Sequence, residues 1–162
     1  MPVAPVDVLL RLIDQGYDRK AWHGPNLRGS IRGIEARIAG WRPATDRRCI
    51  AEIVVHAAYW KYAVRRRLLG EKRGSFPLKG SNWFPRPDVS PKTWGDDVAL
   101  LEQMHRALRA AVADLSSKEL TATPPGRKVS NLDLIAGIAA HDVYHAGQIQ
   151  LLKRLAGAGA DE

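Results

Sequence analysis

The feature that most constrains the fold is an apolar stripe along the last long segment of the chain. Its members recur at alternating steps of four and three residues, which is the spacing of the inward face of a helix in a bundle. The stripe consists of Leu134, Ile138, His141, His145, Gln148, Leu152 and Leu155. Two histidines and a glutamine therefore occupy positions that the spacing predicts to face a protein core.

Three further segments show the same helical spacing, and the four together predict an all-α four-helix bundle. We expect helices over residues 6–20, 46–69, 93–117 and 130–156, with a shorter helical piece around Leu27, Ile31 and Ile34. Thr45 or Asp46 is the expected N-cap of the second helix, and Gly70 suits its C-terminal end. Ser130 opens a Ser-Asn-Leu-Asp capping pattern. No segment alternates apolar and polar residues as a strand would.

The connection between the second and third helices is long. Residues 71–92 contain four prolines, together with Gly74 and Gly80, so a regular element is not expected there. A link of this length is unusual unless it has a function or must cross the length of the bundle. A long crossover lets the second and third helices run parallel.

Length and cysteine content favour a single cytoplasmic domain over residues 1–162. The one cysteine, Cys49, cannot form an intramolecular disulfide and suits a reducing compartment. No apolar run approaches the ~20 residues of a membrane span, and the N-terminal segment lacks the positive region of a signal peptide. We therefore expect no membrane association.

The net charge of +8 raises nucleic acid as a partner. The basic residues, however, are scattered in pairs and triplets along the chain, and the sequence has neither zinc-finger spacing nor an RNA-binding aromatic signature. A solvated basic surface accounts for this charge, and nucleic-acid binding is disfavoured.

A third histidine lies on an inward stripe of the second helix, formed by Cys49, Ile53, His56, Trp60 and Ala63. Facing helices of a bundle can bring His56 together with His141 and His145. The alternative is three separate core histidines, each bonded to a backbone carbonyl. Buried polar groups without partners cost roughly 1–3 kcal/mol each, so a shared divalent metal is the more economical account. Three histidine ligands with one position left open are typical of a catalytic metal site.

Other polar residues receive weaker predictions. His105 lies beside the apolar stripe of the third helix and is predicted to be a surface or boundary residue. His23 is predicted to be a turn residue, with a pocket residue as the alternative. Glu52 is predicted to be a solvated flank residue, with a partner or base for His56 as the alternative. Asp142 should point away from the two histidines of its helix by about 100°.

Several residues are candidates for lining the site. Gln148 is placed to bind a substrate or metal-bound water, or to satisfy a polar group in the core. Four aromatic residues could line a pocket or belong to the core: Trp22, Trp60, Trp83 and Tyr144. The motif HExxH is absent, so no glutamate lies between the ligands as in zincin metalloproteases.

Three segments together resemble the DinB-like superfamily: HDVYHAGQIQLL, AEIVVHAAYW and AWHGPNLRGSIRGI. The resemblance spans nearly the whole chain. It implies a bundle in up-down-down-up order, often dimeric, that binds a divalent metal through three histidines. These ligands would be His56, His141 and His145, and zinc or nickel is the favoured metal, although iron and cobalt also suit such a site.

The resemblance leaves two functions open. Relatives of this kind include bacillithiol S-transferases and mycothiol-dependent maleylpyruvate isomerases, which implies a metal-dependent enzyme acting with a low-molecular-weight thiol. A divalent ion held by neutral imidazoles can bring a bound water toward pKa ~7 or hold a thiol as thiolate. The alternative is a non-enzymatic, metal-binding stress-response or damage-inducible protein. The residues alone do not select the thiol or the reaction.

Overall fold

The computed structural model describes residues 4–124 and 127–158, and within these ranges the chain is all-helical, with no strand beyond an isolated bridge between Ala21 and Gly24. Seven helices are described: α1 (Pro5–Tyr17), α2 (Leu27–Ser30), α3 (Ala36–Gly40), α4 (Ile50–Leu68), α5 (Pro91–Ala113), α6 (Ser117–Thr121) and α7 (Asn131–Ala158). The four long helices are those predicted from apolar spacing, and the all-α class is confirmed.

Some helix ends agree with the sequence prediction and others do not. Helix α4 begins at Ile50 rather than near Asp46, because the Glu52 carboxylate accepts a bond from the Cys49 backbone N–H at 3.4 Å and closes a capping box there. The predicted N-cap of α4 is therefore wrong. The ends at Gly70 and Ser130 are confirmed. Gly70 has φ +67°, and the Ser130 hydroxyl accepts a bond from the Asp133 backbone N–H at 3.1 Å.

Helix α4 lies at the centre of the packing. It contacts α5 and α7, while α1 contacts α7 and α5. Every residue from Ile50 to Ala58 is buried, so the first half of α4 has no solvent-facing side. Each large apolar side chain buried in this way stabilises the fold by about 1.5–3 kcal/mol. This position places His56 in the interior, against α7.

The predicted inward stripe of α7 holds over most of its length. Ile138, His145 and Leu152 are buried. Leu155, the last member, is 43% exposed, whereas the neighbouring Ala156 is only 2% exposed. A straight α-helix drifts by about 20° per heptad from a seven-residue repeat. Over the three heptads from Leu134 to Leu155 the drift is about 60°, more than half of the roughly 100° between adjacent residues, so the inward position passes to Ala156 and the prediction for Leu155 is wrong.

The link between α4 and α5 has no regular structure but is packed onto the bundle. Three ring contacts join Tyr59 and Tyr62 of α4 to Phe76 and Phe84 of the link, at centroid separations of 5.3–5.5 Å. Farther along, the Arg86 guanidinium pairs with an Asp97 carboxylate oxygen at 2.8 Å. These contacts hold residues 82 and 83 over the middle of α4.

Among the described helices, none combines the length and the apolar character needed to cross a lipid bilayer.

Candidate metal centre

The structure brings together the three histidines predicted from helical spacing. The Nε2 atom of His141 lies 3.2 Å from Nε2 of His56 and 3.0 Å from Nε2 of His145. The candidate ligand atoms of all three residues lie within 4.8 Å of one another. Three nitrogens that each lie 2.0–2.1 Å from one tetrahedral ion are about 3.3 Å apart. The spacing therefore fits a single metal ion.

Hydrogen bonds on the far side of two rings aim their Nε2 lone pairs at this point. His56 Nδ1–H donates to the Asn82 carbonyl oxygen at 2.8 Å, and His145 Nδ1–H donates to Gln148 Oε1 at 2.7 Å. A proton on Nδ1 leaves Nε2 as the free lone pair. Metal-ligating histidines are oriented by bonds of this kind.

The third ring also fits a metal ligand. His141 Nδ1 is buried and has no hydrogen-bond partner among the residues that the structure describes. Its Nε2 lies 3.0 and 3.2 Å from the Nε2 atoms of the other two rings, so that a divalent ion between them would be bound by all three nitrogens. The donor set of three imidazoles suits zinc, nickel and similar divalent ions.

The three imidazoles are neutral at pH 7. Burial lowers the pKa of His56, and it lowers the pKa of His145 to about 4. The pKa of His141 is lowered to about 3, first by burial and then by the nearby His145, His56 and Lys61. Because a metal binds only the neutral imidazole, no proton has to be displaced at neutral pH.

The link covers the centre with an aromatic layer. Trp83 stacks on the His56 ring with centroids 3.8 Å apart, and Trp60 meets the same ring edge-on at 6.4 Å. The Trp60 indole N–H donates to Asn82 Oδ1 at 2.9 Å. Asn82 itself has φ +63°, a conformation that asparagine tolerates better than most residues. The link therefore orients His56 and shields it from solvent.

Two cavities flank the centre. One, of about 170 Å³, is bordered by His141 and by Trp60, Val64, Arg67, Asp133, Leu134, Gly137 and Ile138. The other, of about 300 Å³, is bordered by Trp83, Gln148 and residues of α4 and α7. A small molecule in the first cavity can therefore contact His141, whereas the second cavity borders Trp83 and Gln148, which contact His56 and His145.

Comparison with known protein families gives one match. The family model described as the DinB superfamily matches residues 21–149, a range that contains all three histidines. The chain belongs to the DinB superfamily. No curated protein and no solved structure matches it.

The remaining aromatic and histidine predictions for this DinB-superfamily chain have mixed outcomes. Trp60 and Trp83 lie at the centre, but Trp22 is fully exposed and does not join it. Tyr144 is also exposed; its ring meets that of His145 edge-on with centroids 5.0 Å apart, and its hydroxyl accepts a bond from the Gln148 amide at 3.0 Å. His23 is exposed and borders a separate cavity of about 170 Å³ between α1 and α7.

Glu52 is not the solvated flank residue that was predicted. It is 2% exposed, and its carboxylate accepts bonds from both terminal nitrogens of Arg42, at 2.8 and 3.0 Å. It also accepts the Arg86 backbone N–H at 3.3 Å. Burial alone would raise the pKa of Glu52, but the bonds from Arg42 outweigh it and lower that pKa. Glu52 therefore fixes the start of α4 and the end of the link, one turn before His56.

Asp142 points away from the two histidines, as predicted, and meets Lys61 of α4. Both side chains are 1% exposed and form an ion pair. Burial raises the pKa of Asp142, and Lys61 opposes that rise. The other carboxylate oxygen, Oδ1, has no partner within the described ranges. The pair joins α4 to α7 directly behind the metal centre.

The prediction that His105 lies at the surface is wrong. His105 is 4% exposed, and its ring stacks on Tyr17 with centroids 3.6 Å apart. Burial lowers its pKa to about 3, with a further contribution from Lys61. Leu101, His105, Leu108 and Val112 have the four-three-four spacing of an inward stripe, so the sequence did contain the signal.

Proposed function

We propose that this protein is a metal-dependent enzyme in which His56, His141 and His145 hold one divalent ion, zinc or nickel. The observation that carries the proposal is the convergence of three Nε2 atoms, with two of the rings oriented by Nδ1–H bonds. We propose further that the enzyme acts with a low-molecular-weight thiol, in an S-transfer or an isomerisation.

The physical basis is the charge balance of the centre. A divalent ion held by three neutral imidazoles keeps its full charge, which lowers the pKa of a thiol at its open position and populates the nucleophilic thiolate. The chain itself orients two of the ligands through Asn82 and Gln148 and covers one of them with Trp83. The cavity beside His141 leaves room for a second reactant.

An open coordination position supports the enzyme over a storage or structural role. The metal-binding group found among the described residues holds three histidines and no fourth histidine, cysteine or carboxylate. Cys49 is buried at the N-cap of α4 and is not part of this group, and burial raises its pKa, which disfavours the nucleophilic thiolate. The alternative is a non-enzymatic metal-binding protein of a stress or damage response, which the burial of His56 and His145 would also suit.

Metal analysis of protein purified without an affinity tag tests the ligand set. We expect about one equivalent of divalent metal in the wild type, and well below one in His56→Ala, His141→Ala and His145→Ala. The matched control is His23→Ala, because His23 is exposed and outside the centre. Full occupancy in His141→Ala would contradict the assignment.

Cobalt substitution tests the open position and the thiol. A thiolate bound to Co(II) adds a sulfur-to-cobalt charge-transfer band, so titration with small thiols should produce this band with saturable binding. If thiols and azide both leave the cobalt spectrum unchanged, the site is closed, and the non-enzymatic alternative replaces the enzyme.

We also propose one four-helix-bundle domain over residues 1–162 in up-down-down-up order, forming a homodimer in the cytoplasm. The two ends of that range lie outside the described residues. The 69–90 link between α4 and α5 is long enough to serve as the crossover, and apolar side chains such as Leu12, Leu151 and Leu155 are exposed for pairing. Light scattering coupled to size-exclusion chromatography tests the dimer, and a monomer at micromolar concentration would contradict it.

A further inference from the structure

Five cations line one cavity at the C-terminal end of α4. The cavity has a volume of about 520 Å³, and its charged lining consists of Arg66, Arg67, Arg73, Arg127 and Lys128. Within the described ranges, none of these five forms a salt bridge with a carboxylate. The nearby Glu71 carboxylate is taken by Arg65 at 3.0 Å. The cavity therefore carries uncompensated positive charge.

The guanidinium groups of this cluster act on one another. Burial lowers the pKa of Arg67, and the charges of Arg127, Arg66 and Arg73 lower it further. The Nε atom of Arg66 is buried without a hydrogen-bond partner among the described residues. Like charges held together in a concave, partly desolvated site concentrate a positive potential, which a bound anion would relieve.

The cationic cavity adjoins the cavity beside the metal centre. Arg67 and Leu134 line both of them, and the second cavity extends past Val64 and Ile138 to His141. The Arg67 guanidinium also lies over the Trp60 ring, 5.6 Å from its centroid. The charged cavity thus borders a second cavity that reaches a metal-ligand histidine and whose lining is mostly apolar, with Asp133 as its carboxylate.

We infer that the protein binds a small molecule with a dianionic head, a phosphate or a pair of carboxylates, on this arginine cluster, and with an apolar body that extends over Trp60 toward His141. Guanidinium groups match both anions in geometry as well as charge. The cavity volume falls within the range of small-ligand sites, about 300–1,000 Å³. The part of the inference that places the reacting end at the metal rests on the proposed function; binding of the head does not.

A concave site favours a small ligand over nucleic acid. Nucleic-acid surfaces present their cations along a groove or stripe that follows the phosphate backbone. Here the cations surround one pocket that opens onto the apolar side chains of Val129 and Leu134.

Calorimetric titration of the protein as purified tests the inference, with its metal content measured on the same sample. The probes are phenyl phosphate and phenylmalonate, which carry the two candidate heads on one apolar ring. We expect saturable 1:1 binding of at least one probe, and the tighter probe identifies the head. Inorganic phosphate should bind more weakly, because it lacks the apolar body, and benzyl alcohol should not bind measurably.

Two variants of equal charge locate the site. Arg73→Gln/Arg127→Gln should weaken binding about tenfold or more, since each removes a charge-assisted bond. Arg11→Gln/Arg32→Gln removes the same charge from exposed positions elsewhere and should leave the affinity within about twofold. Circular dichroism of both proteins confirms that they fold.

Three results would overturn the inference: no binding of either probe, equal weakening by both double variants, or tight, salt-dependent binding of a single-stranded oligonucleotide that phenyl phosphate cannot displace. Because metal content is measured separately, a protein without metal that still binds phenyl phosphate refutes the metal proposal alone. A metal-loaded protein that binds neither probe refutes the arginine site alone.

Discussion

The buried pair of Lys61 and Asp142 gives the sharpest test of the packing behind the metal centre. Lys61→Met keeps the length and apolar stem of the side chain. It removes the ammonium group, whose hydrogen bond the Asp142 carboxylate accepts. Asp142 is then a buried acid without a partner in the described structure, because its Oδ1 atom already lacks one. The variant should be strongly destabilised at neutral pH.

The expected loss in the free energy of unfolding depends on whether the Asp142 carboxylate stays ionised or takes up a proton when Lys61 is removed. Breaking a buried ion pair by removing one partner costs about 3–5 kcal/mol. Asp142 can limit this cost by taking up a proton, and protonating a carboxyl of ordinary pKa, about 3.9, costs about 4 kcal/mol at pH 7. We therefore expect a loss of about 3–4 kcal/mol at pH 7. Protonation becomes easier by about 1.4 kcal/mol per pH unit on acidification, so the loss should shrink toward pH 5.

Urea unfolding at pH 7, 6 and 5 measures this effect as the difference between wild type and variant at each pH. Lys61→Met/Asp142→Asn is the matched control, because it removes both charges and should recover much of the stability at pH 7. A loss below 1 kcal/mol at pH 7, or the same loss at all three pH values, would refute the assignment of Asp142 as a buried carboxylate held ionised by Lys61.

Three further predictions concern single positions. Burial lowers the pKa of His105 to about 3 in the folded protein, whereas the pKa in the unfolded chain is about 6.5. Between these two pH values only the unfolded chain binds the proton, so the free energy of unfolding decreases as the pH is lowered from about 6.5 to 3. His105→Phe, which keeps the stacking on Tyr17, should reduce the slope of stability against pH by up to about 1.4 kcal/mol per unit, and an unchanged slope in urea titrations would contradict this. Gln148→Leu should weaken metal binding about 10–100-fold in competition with a chromophoric chelator, whereas Tyr144→Phe should not, since only Gln148 bonds to a ligand ring. Gly70→Ala should lower the free energy of unfolding by about 1 kcal/mol, because φ is +67° at this position. Gly95→Ala should raise the free energy of unfolding, because Gly95 lies inside α5 with open space around its Cα. A higher melting temperature for Gly70→Ala than for Gly95→Ala would contradict this prediction.

Much of the site was accessible from the sequence because helical spacing assigns each residue to a face. His56, His141 and His145 occupy inward positions, and the structure brings them together. The same rule identifies His105, but the adjacent Met104 also lies at helical spacing from Leu101 and Leu108, and a stripe through Met104 leaves His105 beside it. Adjacent residues of a helix differ in direction by about 100°, so both can lie near the edge of one apolar face, and their spacing alone does not show which of them is buried.

Spacing cannot predict which charges meet across helices. Glu52 pairs with Arg42, which lies outside α4, and Asp142 pairs with Lys61, which lies 81 positions away. Each of these residues resembles an exposed charge when it is read within its own segment. The start of α4 at Ile50 was missed for the same reason, since the cap depends on Glu52 being buried and bonded.

The partner of His56 has a consequence for how this centre can vary among sequences. The ring is oriented by a main-chain oxygen of residue 82, whereas His145 is oriented by the side chain of Gln148. A main-chain oxygen is present whatever residue occupies the position, so substitution at 82 is limited by the positive φ and by the bond to Trp60 rather than by the contact with His56. Comparing sequences by side-chain identity would detect the contribution of Gln148 and overlook that of the link, although the two bonds have the same role.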